Sequence, residues 1–89
     1  MKKIYEKIKS YKNTIKSSCK AREHDLDEQT LCKTVLYRLE DILGNQRSRK
    51  DIENFVDTLK VYADKAPTNI SYQFYTSVRA RLKDILKGK

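Results

Sequence analysis

This chain of 89 residues has little of what interrupts a helix or reinforces a small fold: two glycines, one proline, two cysteines and no tryptophan. So few helix breakers favour long helices. The longest apolar runs are three residues, such as Val35-Leu36-Tyr37, which excludes a transmembrane helix and the apolar segment of a secretory signal. We therefore expect a cytoplasmic protein.

What the sequence does have is a helical period. Apolar residues recur at steps of three and four along four segments, which places them on one face of a helix in each. The first helix is predicted over about residues 2 to 20. The second follows a polar stretch, with Asp25 or Asp27 as its N-cap, and stops near Gly44.

The third helix is predicted to start after the N-cap Ser48 and to end before Pro67. The fourth is predicted to start after the N-cap Ser71, with Ile70 and Tyr75 forming a hydrophobic staple across that cap. No segment has the alternating pattern of a strand, and no linker divides the chain. The sequence thus predicts an all-α fold, an antiparallel four-helix bundle that forms a single domain of residues 1–89.

The two cysteines are too few for a disulfide scaffold, and one histidine without a CxxC pair argues against a zinc site. Cys19 and Cys32 lie equally far from the midpoint of the connection between the first two helices. A helical hairpin would set them at one level, near bridging distance. We expect them to be reduced neighbours in the core.

Charge is distributed unevenly along the chain, whose formal net charge is +8. Residues 1–22 carry a net +7, residues 23–43 a net −4 and residues 67–89 a net +4. In an antiparallel four-helix bundle the first and last helices are commonly adjacent, so one side should be strongly basic. One flank of the first helix alone holds five lysines: Lys2, Lys9, Lys12, Lys16 and Lys20.

Such a surface attracts nucleic acid at low salt, but the sequence argues against specific DNA recognition. A helix-turn-helix with Gly44 in its turn needs a small residue four positions earlier and apolar residues six and nine positions later. Those positions hold Glu40, Lys50 and Glu53. Acidic residues along the third helix would also repel the DNA backbone. We expect no specific nucleic-acid partner.

Membrane insertion of the first helix is also disfavoured. An interfacial helix presents Trp, Phe and Leu, whereas this apolar face offers only Ile, Tyr and Cys, and the other helices need it as a partner. We assign that face to the core. Weak contact between the lysine-rich flank and an anionic membrane surface stays open.

The sequence holds no catalytic constellation. His24 lies in a polar connection without a convincing nucleophile, and Glu40 and Asp41 are successive residues that point to different sides of a helix. There is no ExxH motif and no glycine-rich phosphate loop. We predict a protein that is not an enzyme and that uses no cofactor or metal.

Two stretches, LCKTVLYRLEDIL and IENFVDTLKVYADKAPTNISYQFYTSVRARLKDIL, together resemble the core of the enterocin A-type immunity proteins of pediocin-like bacteriocin producers. The similarity covers about residues 31–86 in helix order and spacing. The resemblance implies a small, basic, cytosolic four-helix bundle that protects a lactic acid bacterium from its own pore-forming peptide. Family members are thought to bind, from the cytosolic side, the mannose phosphotransferase membrane components that the bacteriocin has captured.

Members of that family usually continue beyond the fourth helix, and this C-terminal region helps to select the bacteriocin. Here the sequence stops at Gly88-Lys89, so the last helix or the hairpin before it would carry that selection. The alternative interpretation of the whole chain is a small basic helical adaptor that binds nucleic acid or regulates another protein.

Candidate partner-binding residues lie mainly on the fourth helix. The fourth-helix stripe follows steps of four, three and four off the core face and consists of Tyr72, Thr76, Arg79 and Lys83. Lys87 flanks this stripe, and Tyr37 is a further candidate on the second helix. Tyrosine and arginine are enriched where partners bind, although an ordinary amphipathic surface has the same pattern.

Overall fold

The computed structural model describes residues 1–20 and 26–88, and every regular element within these ranges is an α-helix. The all-α prediction is confirmed. The four helices are α1 (Lys2–Lys20), α2 (Leu26–Gly44), α3 (Arg49–Asp64) and α4 (Asn69–Leu86). They form two compact units, Met1–Arg47 and Ser48–Lys89. That all four helices join in one bundle domain stays a prediction.

In the first unit, contacts at both ends show that α1 and α2 run antiparallel. A disulfide joins Cys19, near the end of α1, to Cys32 in the second turn of α2, with a Cα–Cα distance of 6.0 Å. At the opposite end, the Tyr5 hydroxyl donates a 2.6 Å hydrogen bond to the carbonyl oxygen of Arg47, just beyond α2. The two links fix both ends of this helical hairpin.

The disulfide corrects the expectation of two reduced thiols. The spacing argument was right about distance, because the hairpin does bring Cys19 and Cys32 to one level, with Cys32 buried and Cys19 half-buried. The expectation was wrong about oxidation state, which had been judged from the small number of cysteines. Disulfides persist mainly in oxidising environments, so a cytoplasmic location stays a prediction.

We expect reduction of this disulfide to lower the free energy of unfolding by about 3 kcal/mol, because the link closes a short loop in the unfolded chain. The two cysteines are 13 positions apart. Urea unfolding followed by circular dichroism, with and without dithiothreitol, measures the difference. A double variant with Cys19→Ser and Cys32→Ser is the control and should not respond to dithiothreitol. An unchanged midpoint on reduction of the native chain would contradict the prediction.

The C-terminus of α2 is closed by a left-handed residue that the sequence did not indicate. Gln46 has φ 48°, while the N–H of Arg47 donates to the carbonyl of Ile42 (3.0 Å) and the N–H of Gln46 to that of Leu43 (3.4 Å). This pair of bonds is the Schellman motif. Gly44, the predicted stop, is the last residue of α2, but it does not supply the left-handed conformation.

Asp41 anchors the same turn. Its carboxylate accepts hydrogen bonds from Arg47 Nε (3.1 Å) and from Asn45 Nδ2 (2.7 Å). Donation by Arg47 lowers the pKa of Asp41, partial desolvation opposes that shift, and the Arg47 charge and Asn45 reinforce it. Since Arg47 also accepts from Tyr5, the turn after α2 is tied to the start of α1.

The structure tests the N-caps that the sequence predicted for α2 and α3. α2 begins at Leu26, so Asp27 lies inside the helix and is not its N-cap, while Asp25 lies outside the described residues. Ser48 is the N-cap of α3 as predicted, and its side chain accepts from the N–H of Asp51 at 3.2 Å.

The N-cap of α4 is Thr68, which corrects the assignment to Ser71. Thr68 Oγ1 accepts from the N–H of Ser71 (3.1 Å), and Ser71 Oγ accepts from the N–H of Thr68 (3.3 Å), a reciprocal capping box. Ser71 is thus the third residue of the helix and is buried. The predicted staple is also wrong, because Ile70 lies inside α4 with 53% of its surface exposed.

In the second unit, α3 and α4 also run antiparallel. Arg49 Nη2, at the start of α3, donates a 2.7 Å hydrogen bond to the carbonyl oxygen of Leu86 at the end of α4. At the other end, the rings of Tyr62 and Tyr75 lie 5.5 Å apart. The buried apolar residues of this unit follow the predicted period and include Ile52, Phe55, Val56, Leu59, Ala63, Val78, Leu82 and Ile85.

Candidate interaction surface

The fourth-helix stripe lies on one side of α4, off its buried face. With 100° per residue, its members fall about 90 to 150° from the centre of the face that Val78, Leu82 and Ile85 bury. Tyr72 is 48% exposed and Thr76 is also exposed. The stripe therefore begins on open surface at the start of α4.

Towards the C-terminus of α4, the stripe residues are less exposed because they lie at the boundary of the core. Arg79 and Lys83 are half-buried, whereas Lys87, which caps the end of the helix, is exposed. The Nε atom of Arg79 is buried and has no hydrogen-bond partner within the described part of the chain. A buried donor without an acceptor is unfavourable, and the guanidinium fork suits a carboxylate or phosphate. Arg79 is thus the stripe residue whose charge and planar group best suit an anionic partner, although its Nε atom itself is not accessible at the surface.

Aromatic rings cluster at the hairpin end where α3 meets α4. Tyr75 contacts both Tyr62 and Phe74, with centroid distances of 5.5 and 5.8 Å and tilted planes. Desolvation raises the pKa of Tyr75, and the neighbouring Tyr62 raises it further. The Tyr75 hydroxyl therefore loses its proton less readily than a tyrosine in water, as its partial burial among these rings requires.

Exposed apolar residues at the same hairpin end were missed by the sequence reasoning. Val61 is 47% exposed, and Ile70, which had been assigned to a staple, is more exposed still. A signal was available for Val61. It lies two positions, or about 200°, from the buried Leu59, which places it off the core face. With Tyr62 and Tyr72 these residues give this end a partly apolar surface.

Tyr37, the remaining candidate, lies on α2 in the first unit and is 73% exposed. This exposure confirms that it points away from the core. Because the stripe belongs to the second unit, Tyr37 is a separate candidate.

Neither a metal centre nor a membrane span is found in residues 1–20 and 26–88. These ranges contain no group of three or more His, Cys, Asp or Glu side chains that could hold a metal ion. Within them, no helix is long and apolar enough to cross a membrane. In comparisons with known proteins, no family model, no curated protein and no solved structure matches this chain.

Proposed function

We propose that this protein is a non-catalytic bacteriocin immunity protein. It protects a bacterium from a pediocin-like pore-forming peptide by binding, from the cytosolic side, the mannose phosphotransferase membrane components that the peptide has captured. The proposal rests on the family resemblance over about residues 31–86. The observation that carries it is the α3–α4 hairpin, which presents a half-exposed tyrosine and a basic stripe beside its core.

The chemistry of this hairpin suits a protein partner with acidic groups. Residues 67–89 hold five basic residues and a single acid, Asp84, which lies on the side of α4 away from the stripe. Tyr72 adds aromatic contact area, and Arg79 adds a planar donor. Aromatic and arginine side chains are the usual anchors of an interface, and a basic rim speeds association with an acidic one.

Expression inside a bacteriocin-sensitive lactic acid bacterium tests the proposal. We expect the wild-type chain to raise the inhibitory concentration of one or a few pediocin-like peptides, while peptide mixed with the purified protein keeps its activity. The reason is that the protein acts on the captured receptor and not on the free peptide.

A matched control fuses the same chain to an export signal, which should abolish protection because the proposed binding face lies on the cytosolic side. Failure of the cytosolic, folded chain to protect against any peptide in a broad panel would overturn the proposal.

A further inference from the structure

The lysine flank of α1, defined by Lys2, Lys9, Lys12, Lys16 and Lys20, has no role in the proposed function. α1 is a continuous helix from Lys2 to Lys20, so these side chains form a straight row about 27 Å long. Seen down the helix they occupy an arc of about 80°. Four are exposed, and Lys12, nearest the core, is half-buried.

The charge of this flank is not neutralised within the structure. Glu6 is the only acid of α1, and none of the five lysines makes an ion pair with any residue in the described ranges. The remaining exposed surface of α1 is mainly uncharged, with Ser10, Asn13 and Ser17 among its residues. Outside the flank, α1 also carries Lys3, Lys7 and Glu6, so the flank is its longest row of like charge but not its only charged surface.

The apolar face of α1 is already occupied. Ile8 and Ile15 are buried, Ile4, Tyr11 and Cys19 are half-buried, and the disulfide holds the end of the helix to α2. α1 therefore has no exposed apolar face that could insert among the acyl chains of a membrane. A partner of this helix must be bound through its surface charges.

We propose that the lysine flank docks this protein on the headgroups of an anionic lipid bilayer. A straight row of flexible point charges can meet a planar array of phosphates all at once, and each lysine near such a surface raises partitioning about fivefold. Lysines also bind nucleic-acid phosphates, but sites that grip nucleic acid firmly usually add arginine forks and stacking aromatic rings. The flank has no arginine, and the Tyr5 hydroxyl beside it is bonded to Arg47.

This docking is independent of the immunity proposal, and co-sedimentation with sucrose-loaded vesicles tests it on the full chain. The vesicles contain phosphatidylcholine alone or with about one third phosphatidylglycerol, a fraction that gives an anionic surface. We expect binding to the anionic vesicles only, weakening as salt rises because the contact is electrostatic. Lys9→Glu with Lys16→Glu, at the centre of the flank, should reduce partitioning at least about 30-fold, and Lys9→Gln with Lys16→Gln about 30-fold.

The matched control is Lys50→Glu with Lys60→Glu, two exposed α3 positions that change the net charge by the same amount. This variant should keep most of the vesicle binding, and circular dichroism should show all variants helical. Equal losses in the flank and control variants would overturn the proposal, since net charge alone would then explain binding. Equal binding to neutral vesicles would overturn it as well. So would a short DNA duplex that binds through the flank more tightly than anionic vesicles at the same salt.

Discussion

Leu59→Ala is expected to lower the free energy of unfolding by about 2–5 kcal/mol, through lost burial and the cavity left behind. Leu59 is fully buried at the centre of the apolar face of α3, with Phe55 and Val56 on the turn before it and Ala63 on the turn after. Domains of this size are typically stable by only about 5–15 kcal/mol, so the loss threatens the fold. Urea unfolding followed by circular dichroism at 222 nm measures it.

Val61→Ala is the matched control, because it removes apolar carbons two positions away on the same helix, where the side chain is about half exposed. It should change the free energy of unfolding by no more than about 0.5 kcal/mol. If the two variants lost the same stability, the buried face assigned to α3 would be wrong.

The helices could be predicted because the pattern of apolar residues that determines them lies within each short segment of sequence. A period of three and four residues fixes one face of each helix, and α1 was predicted with the bounds it has. The start of α4 could not be settled in this way, since Thr68 and Ser71 are both good caps. Ser71 lies buried as the third residue of the helix, and that outcome depends on packing that no short stretch of sequence contains.

For the two cysteines, the sequence predicted their distance but not their oxidation state. Helix geometry predicted that Cys19 and Cys32 would meet, whereas whether two neighbouring thiols are oxidised depends on surroundings that the spacing does not encode.

The sequence predicted on which side of α4 the fourth-helix stripe lies, but not how deeply each of its side chains is buried. Periodicity treats a helix as having an inner and an outer side, while Arg79 and Lys83 lie at the boundary and are half-buried. The error at Ile70 has another origin: the prediction placed it in a staple before the cap Ser71, whereas the cap is Thr68 and Ile70 is an exposed residue inside α4. That Arg79 Nε has no hydrogen-bond partner among residues 1–20 and 26–88 could not have been found from the sequence, because its burial depends on neighbours distant in sequence. These are the residues for which the structure changes the choice of experiment.

Tyr72→Ala with Thr76→Glu is expected to abolish protection in the expression assay while leaving the thermal melt nearly unchanged. Both residues are exposed on the stripe, so the change removes an aromatic contact and places a negative charge where an acidic partner would bind. Gln73→Ala with Ser77→Glu is the matched control. It makes an equivalent change one position further along α4, where the exposed side chains lie on the other side of the helix, and it should protect like the wild type.

Arg79 needs a gentler substitution than charge reversal, because a carboxylate at this half-buried position would destabilise α4 and confuse loss of binding with loss of fold. Arg79→Gln shortens the side chain and removes only the charge and the guanidinium fork, so it should weaken protection without unfolding the protein. The inhibitory concentration of the peptide and the melting temperature are measured on the same variants. Full protection by both Arg79→Gln and the Tyr72–Thr76 double variant would contradict the stripe as the binding face and direct the search to Tyr37 or the lysine flank.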